Sequence, residues 1–248
     1  MRNLLQTPLF RFASQDPFRG QHLPTPPPNP LRLNNKIALI TGGSAGIGQA
    51  TALLFARSGV EGLVLADIDE KGGAKTLEMC KEASKNLKVH FFKTDMRSAQ
   101  GIKSLFEKTA QEFDSKLHIL VNNAGIMHSD DDNAVTTDEK VWDLTMDINL
   151  KAVFFCCKYG IPLMKGTGNA SIVNVASFVG LRGAATPQIA YTASKGGVLA
   201  LSRELAIIHA KEGIRVQLLH IKALKNLYIK IISINVIFLK YSTKLIVT

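Results

Sequence analysis

The sequence predicts an α/β fold of three layers: a doubly wound parallel sheet with helices on both faces. Three observations lead there. From Asn35 onward, short apolar runs rich in β-branched residues and leucine alternate with helical patterns. The runs are apolar at nearly every position, as expected of strands covered on both faces. The first run also passes through a glycine-rich turn straight into a helical stretch.

The strand runs fall at 36–41, 62–67, 88–94, 117–122 and 170–177. Helical stretches lie between and after them at 47–58, 71–84, 98–113, 138–164 and 188–212, with Thr137 or Asp138 placed to cap the fourth. Strict alternation requires crossover connections, and right-handed crossovers wind the sheet both ways from its first strand.

Three segments divide the chain. Residues 1–34 read as an extended or disordered leader, with Pro24, Pro26, Pro27, Pro28 and Pro30 favouring extended backbone. Residues 35–216 form the folded domain. Residues 217–248 contain no Gly, Pro, Asp or Glu, and Ile229–Leu239 is β-prone and sparsely charged, closer to an aggregation liability than to a domain cap. The net charge of +10 is concentrated at the two ends. The leader carries +3 and the last 32 residues +5, leaving +2 on residues 35–216, so no basic nucleic-acid face is indicated. No apolar run is long enough for a membrane span. Cys80, Cys156 and Cys157 have no metal-ligand spacing and read as buried thiols of a reducing compartment, hence cytoplasmic. The alternative is mitochondrial, through Arg2, Arg11 and Arg19 interleaved with Leu4, Leu5, Leu9 and Phe10. The six histidines form no ligand cluster, so no metal is expected.

The turn from Thr41 to Gly48 carries the first chemistry. A pyrophosphate must approach backbone N–H groups at a helix N-terminus, and side chains at the crossing points would block it. Gly42, Gly46 and Gly48 clear those points, with Ser44 and Ile47 between them. Asp67 ends the second run, 19 residues after Gly48. An acid there can accept hydrogen bonds from the adenosine ribose hydroxyls and repels a 2′-phosphate, favouring NAD over NADP.

Tyr191 and Lys195 stand four residues apart on one helix face. A tyrosine, with a reference pKa near 10, is a poor base at neutral pH. A fixed ammonium nearby would stabilise the phenolate and lower that pKa. Ser177 ends the fifth run 14 residues earlier, on the strand-end rim where ligands bind in open α/β sheets. Ser129 and Asp130 to Asn133 read as a solvated acidic loop, Cys156 and Cys157 as core, and Trp142 as packing.

With its Thr-Gly-x-x-x-Gly-x-Gly turn, its Asn122-Asn123-Ala124-Gly125 signature and its Ser177, Tyr191 and Lys195, the stretch 35–216 resembles the short-chain dehydrogenase/reductase family, whose fold is Rossmann-like. The resemblance implies an NAD(P)-dependent oxidoreductase acting on a small-molecule secondary alcohol or ketone. It makes Ser177, Tyr191, Lys195 and Asn149 the catalytic set, with Ser177 orienting the substrate oxygen and Asn149 holding a water that links Lys195 to solvent. It adds Asp95 as the adenine contact with Met96 beside it, lays the cofactor against Asn123, Ala124 and Gly125, and gives Tyr191 and Lys195 a share in holding it. It also implies a homodimer, through the helices at 138–164 and 188–212. The resemblance stops at Val216, where the family continues into Asn, a Pro-Gly turn, a substrate lid and a last strand. The abrupt change there suggests an alternative transcript or a retained intron. It leaves a second reading open, a catalytically impaired NAD-binding module.

Overall fold

The computed structural model describes residues 32–221. The leader up to residue 31 and the segment 222–248, with Ile229–Leu239 inside it, lie outside the described residues, as do the expectations that fall on them. The strands are β1 (Ile37–Thr41), β2 (Gly62–Asp67), β3 (Lys88–Lys93), β4 (Ile119–Asn122), β5 (Ala170–Ser177) and β6 (Ile214–Ile221). The helices are α1 (Gly46–Arg57), α2 (Glu70–Ala83), α3 (Ala99–Glu112), α4 (Glu139–Met146), α5 (Ala152–Met164) and α6 (Ile189–His209). All six strands pair in parallel, in the order β3-β2-β1-β4-β5-β6. This is the doubly wound, Rossmann-like sheet expected from the alternation. The order reverses at β1 and β4, so the loops leaving those two strands open a crevice at their carboxyl ends.

β1 illustrates how the sequence builds three layers. All five of its residues are buried. Ile37 and Leu39 join the core under α3, α5 and α6, while Ala38 and Ile40 join the core under α1 and α2. Successive residues of a strand point to opposite faces, so an unbroken apolar run supplies both cores at once.

The helices start where local polar groups can hold their free N–H donors. Asp69 caps α2, Ser98 caps α3 and Asp138 caps α4 from the residue just before each. Of the two candidates for α4, Asp138 is therefore the cap, and Thr137 instead accepts a hydrogen bond from the Asp132 N–H. The predicted helix over 138–164 is continuous but not uniform. A π-helical turn, Asp147–Lys151, joins α4 to α5 and has Asn149 at its centre. Such single-turn bulges are frequent at functional sites because they re-aim one side chain inward.

β6 runs beyond the compositional break at Val216–Gln217. Gln217 pairs with Val173 and the register continues to Ile221 opposite Ser177. The boundary in composition is thus not a boundary in the sheet, since backbone pairing is indifferent to which side chains the strand carries. Among the described residues no helix is long and apolar enough to cross a membrane.

Candidate active site

The loop after β1 and the loop after β4 are joined at the crevice. The Thr41 hydroxyl oxygen accepts from the N–H groups of Asn123 and Ala124, each at 3.1 Å. The Asn123 side-chain amide donates to the carbonyls of Thr41 at 3.0 Å and Gly42 at 3.1 Å. This contact leaves no room for a side chain. A Cβ on Gly42 would lie 2.8 Å from the Asn123 amide nitrogen and 3.0 Å from the Ala124 Cα, and one on Gly48 would run into the Gly42 carbonyl. Gly46 has open space around it, and its φ of +54° is what requires glycine there.

The far side of the same loop is pinned as well. The Ser44 carbonyl accepts from the Gln49 amide at 3.3 Å and the Thr76 hydroxyl at 3.2 Å, and the Ser44 N–H donates to Asp67 at 3.0 Å. The other Asp67 oxygen accepts from the Asp69 N–H at 3.1 Å. The carboxylate is thereby fixed at the end of β2, with further lone pairs free to accept from a ligand hydroxyl. Unlike α2, α3 and α4, α1 has no side-chain cap, and its first turn contains Gly46, Ile47 and Gly48. Uncapped N–H donors, glycines at the crossing points and a fixed acid at the next strand end together suit a dinucleotide: pyrophosphate at the helix, ribose at the acid.

Asp95 and Met96, just past β3, fit less directly. Arg97 grips the Asp95 carboxylate through its guanidinium and its own N–H. The Arg97 hydrogen bond holds that carboxyl below the usual range. Met96 packs into the core.

The predicted catalytic side chains come together at one end of the sheet. Ser177 ends β5, and a hydrogen bond joins it to Tyr191. Lys195, one helical turn further along α6, has its ammonium 5.7 Å from the centre of the Tyr191 ring and donates to the Val175 carbonyl at 2.9 Å. A Cβ on Gly125 would sit 3.2 Å from the Asn149 amide oxygen and 3.3 Å from the Lys195 nitrogen, so the loop after β4 runs directly past both.

Asn149 uses both amide hydrogens and one acceptor position of its oxygen. Its amide donates to the Ile126 carbonyl at 2.8 Å and the Ser194 hydroxyl at 3.1 Å, and its oxygen accepts from the Ile126 N–H at 2.8 Å. Ser194 donates in turn to the Tyr191 carbonyl at 2.8 Å.

The electrostatics differ from the expectation of an ammonium-lowered phenol. Burial pushes the Tyr191 pKa up, and the hydrogen bond with Ser177 opposes it only in part. Burial also pulls Lys195 down to about 8. Desolvation disfavours whichever form is charged, so it acts in opposite directions on an acid and a base.

Sequence reasoning missed three residues that hold this site. Thr41 heads the glycine turn in the sequence reading, but its hydroxyl is given no role there. Ser194 lies between Tyr191 and Lys195, and its i+3 spacing from Tyr191 was the available signal. Asp131 belongs to the stretch read as a solvated acidic loop, yet it is only 7% exposed and accepts from the N–H groups of Ala190 and Tyr191. The missing signal was the start of α6, where the N-cap residue Gln188 makes no side-chain cap.

A cavity of about 490 Å³ lies elsewhere, at the amino ends of the strands. Lys116, His118, Lys165 and Glu61 line it, but Lys165 is paired with Glu212 and no reactive pair converges there. Among the described residues no cluster of three or more His, Cys, Asp or Glu could hold a metal ion.

The signature of the short chain dehydrogenase family matches residues 36–225. A 3β-hydroxysteroid dehydrogenase of Mediterraneibacter gnavus is 35% identical over 74% of this chain, which spans 64% of that protein's length. A cyclohexanol dehydrogenase of an Acinetobacter strain is 34% identical, over 76% of this chain and 73% of its own. Among solved structures, carveol dehydrogenase from Mycobacterium avium in complex with NAD superposes with a TM-score of 0.71 at 27% identity, covering 77% of this chain and 71% of the other.

The buried Lys195 makes stability depend on pH. Its pKa is about 8 in the folded chain against an ordinary 10.5, so between these values the unfolded chain binds more protons and stability rises with pH. Denaturant titrations across that window should show the unmodified chain gaining on Lys195→Met by about 3 kcal/mol in total. Parallel curves would mean that the ammonium is solvated.

Proposed function

Because the chain belongs to the short-chain dehydrogenase/reductase family, we propose that it is an oxidoreductase moving hydride between a nicotinamide dinucleotide, NAD in preference to NADP, and a secondary alcohol or its ketone. The observation that carries this reading is the meeting of Ser177, Tyr191 and Lys195 beside the glycine turn. A lone Tyr and Lys at this spacing is common on helices, but here the Tyr191 phenol is bonded to Ser177 and half-buried next to Lys195.

When bound, the dinucleotide supplies or accepts the hydride. The chain's own residues handle the proton. Ser177 orients the substrate oxygen toward the phenol. Tyr191 gives its proton to a carbonyl oxygen or takes one from an alcohol, and such positioned proton transfer contributes about 10²–10⁴-fold. Lys195 supports the phenolate as charge develops and, anchored on the Val175 carbonyl, keeps its place on the helix face. Asn149 braces the loop after β4 against α6 and stands where a water leading to Lys195 would be held. Gly42, Ser44, Gly46, Ile47 and Gly48 receive the pyrophosphate, Asp67 the ribose, and Asn123, Ala124 and Gly125 the nicotinamide half. Asp95 would meet the adenine through whatever capacity Arg97 leaves it.

Several features bear on substrate, assembly and compartment. Met127, Phe178, Leu181 and Ile189 are exposed on the segments flanking Tyr191, which favours a substrate with an apolar body. Trp142 and Phe154 on α4 and α5, with Ile207 and Ile208 on α6, expose apolar surface suited to a homodimer. The buried thiols, with Cys80 raised to about 11 and Cys157 to about 12 by burial, fit a reducing compartment, which we read as the cytoplasm.

Three measurements test the reading. With a panel of secondary alcohols and NAD, Tyr191→Phe should lose turnover while its NAD affinity stays within about threefold; retained turnover would mean that another group carries the proton. Asp67→Ala should narrow the preference for NAD over NADP by about tenfold or more, since the 2′-phosphate no longer meets a carboxylate; unchanged discrimination would remove Asp67 from that role. Sedimentation equilibrium should find a dimer at micromolar concentration, and a monomer there would overturn the assembly.

A further inference from the structure

α6 carries the reactive pair, and its first turn is secured from an unusual direction. α2, α3 and α4 are each capped by the residue immediately before them. At α6 the N-cap residue Gln188 makes no side-chain cap. Instead, the Asp131 carboxylate reaches in from about 60 positions upstream. One oxygen accepts from the Ala190 N–H at 3.0 Å and the other from the Tyr191 N–H at 2.7 Å. The neighbouring Asp132 carbonyl accepts from the Ile189 N–H at 3.0 Å. Three free donors of the helix start are thus satisfied by one loop.

We propose that Asp131 is the positioning residue of the reaction: its carboxylate fixes the backbone of Tyr191 and locks the 127–137 loop to the catalytic helix. This rests on the reading of Tyr191 as proton donor. The observation that lifts it above an ordinary helix cap is where the bond lands. The shorter of the two bonds is to the N–H of Tyr191 itself, so a change at Asp131 is transmitted directly to the residue whose phenol must meet the substrate oxygen.

The charge is well matched to its place. A buried carboxylate is costly unless its oxygens are bonded and a compensating field is present. Here both oxygens accept from N–H groups, and the positive end of the α6 dipole lies against them. The loop supplying Asp131 is itself braced. The Asp131 N–H donates to the His128 carbonyl at 3.2 Å, and the Thr136 hydroxyl donates to the Asp132 carboxylate at 2.7 Å. Asp131 therefore joins two ordered pieces, the loop that borders the mouth of the site and the helix that performs the chemistry.

Asp131→Ala and the near-isosteric Asp131→Asn test this in the full chain, with NAD and an alcohol that the unmodified enzyme oxidises. Displacing a reacting group by a fraction of an ångström to one ångström costs up to about 100-fold, so kcat should fall about 10- to 100-fold in Asp131→Ala, with the KM for NAD moving less than about threefold. Amide exchange at Ala190 and Tyr191 should quicken about tenfold or more. Added formate, small enough to occupy the space left by the carboxylate, should restore part of both losses in Asp131→Ala and change nothing in the unmodified chain. Asp131→Asn, which keeps one acceptor but faces a donor to the second N–H, should fall between.

A kcat within about twofold of the unmodified enzyme in both variants would overturn the proposal. So would a parallel loss of kcat and NAD affinity with no response to formate, which marks a general structural role. If the unmodified chain turns over no alcohol at all, the functional reading fails, while the exchange experiment still decides whether Asp131 holds Tyr191.

Discussion

Two loops of backbone can touch only where no side chain stands between them, and the site depends on one such contact, between the loops leaving β1 and β4. β1 is the strand from which the chain winds in both directions, so its loop and that of β4 leave side by side at the switch in strand order. Glycine at positions 42 and 48 lets them close to hydrogen-bonding distance, and Thr41 and Asn123 then stitch them together. With that contact made, the N-terminus of α1, the carboxylate of Asp67 and the path past Gly125 to Lys195 all border one crevice. The elements further out owe their functional placement to it.

Much of this fold was legible in the sequence because a parallel sheet leaves a strong pattern. Strands buried on both faces must be apolar throughout, as Ile37 to Ile40 are, and crossover helices must separate them. Each predicted strand ending and helix start in the domain lies within two residues of the observed one. What the pattern could not carry was the course of the chain after Val216. Composition changes there, but a strand needs only a neighbour offering a free edge, and β5 offers eight positions that β6 takes up in register. A shift in residue usage marks a change of sequence character, and it did not mark the end of the pairing.

The site was legible to the extent that its chemistry demands specific residue types close in sequence. Glycines in a turn, an acid at a strand end, and tyrosine with lysine on one helix face are local patterns. The residues that orient them are not. The π turn is a backbone feature whose Asn149 amide bonds Ile126 and Ser194, and Asn149 alone gives no sign of it in the sequence. Asp131 looks like its solvated neighbours Asp130 and Asp132, and only the three-dimensional approach of the loop to α6 singles it out. The expectation that Lys195 would lower the Tyr191 pKa failed for a related reason. Sequence spacing fixes which face two side chains share, but not how much water each one loses.

That loss of water bears on how the reactive pair works. Burial makes a phenolate harder to form at Tyr191 and an ammonium harder to keep at Lys195, so two proton affinities that are similar in water move apart and both groups are pushed toward their neutral forms. Local bonds oppose that push: the hydrogen bond of Ser177 favours release from the phenol, and the Val175 carbonyl favours the charged lysine. Dry surroundings also magnify each of these contacts, because a charge interacts more strongly where water does not screen it. Position then matters more than average electrostatics, since a displacement of the phenol by a fraction of an ångström changes which bond it makes. The buried Ser194 and Asp131, each tied to the backbone of Tyr191, and the buried Asn149, which donates to the Ser194 hydroxyl, supply the rigidity that such a pair requires.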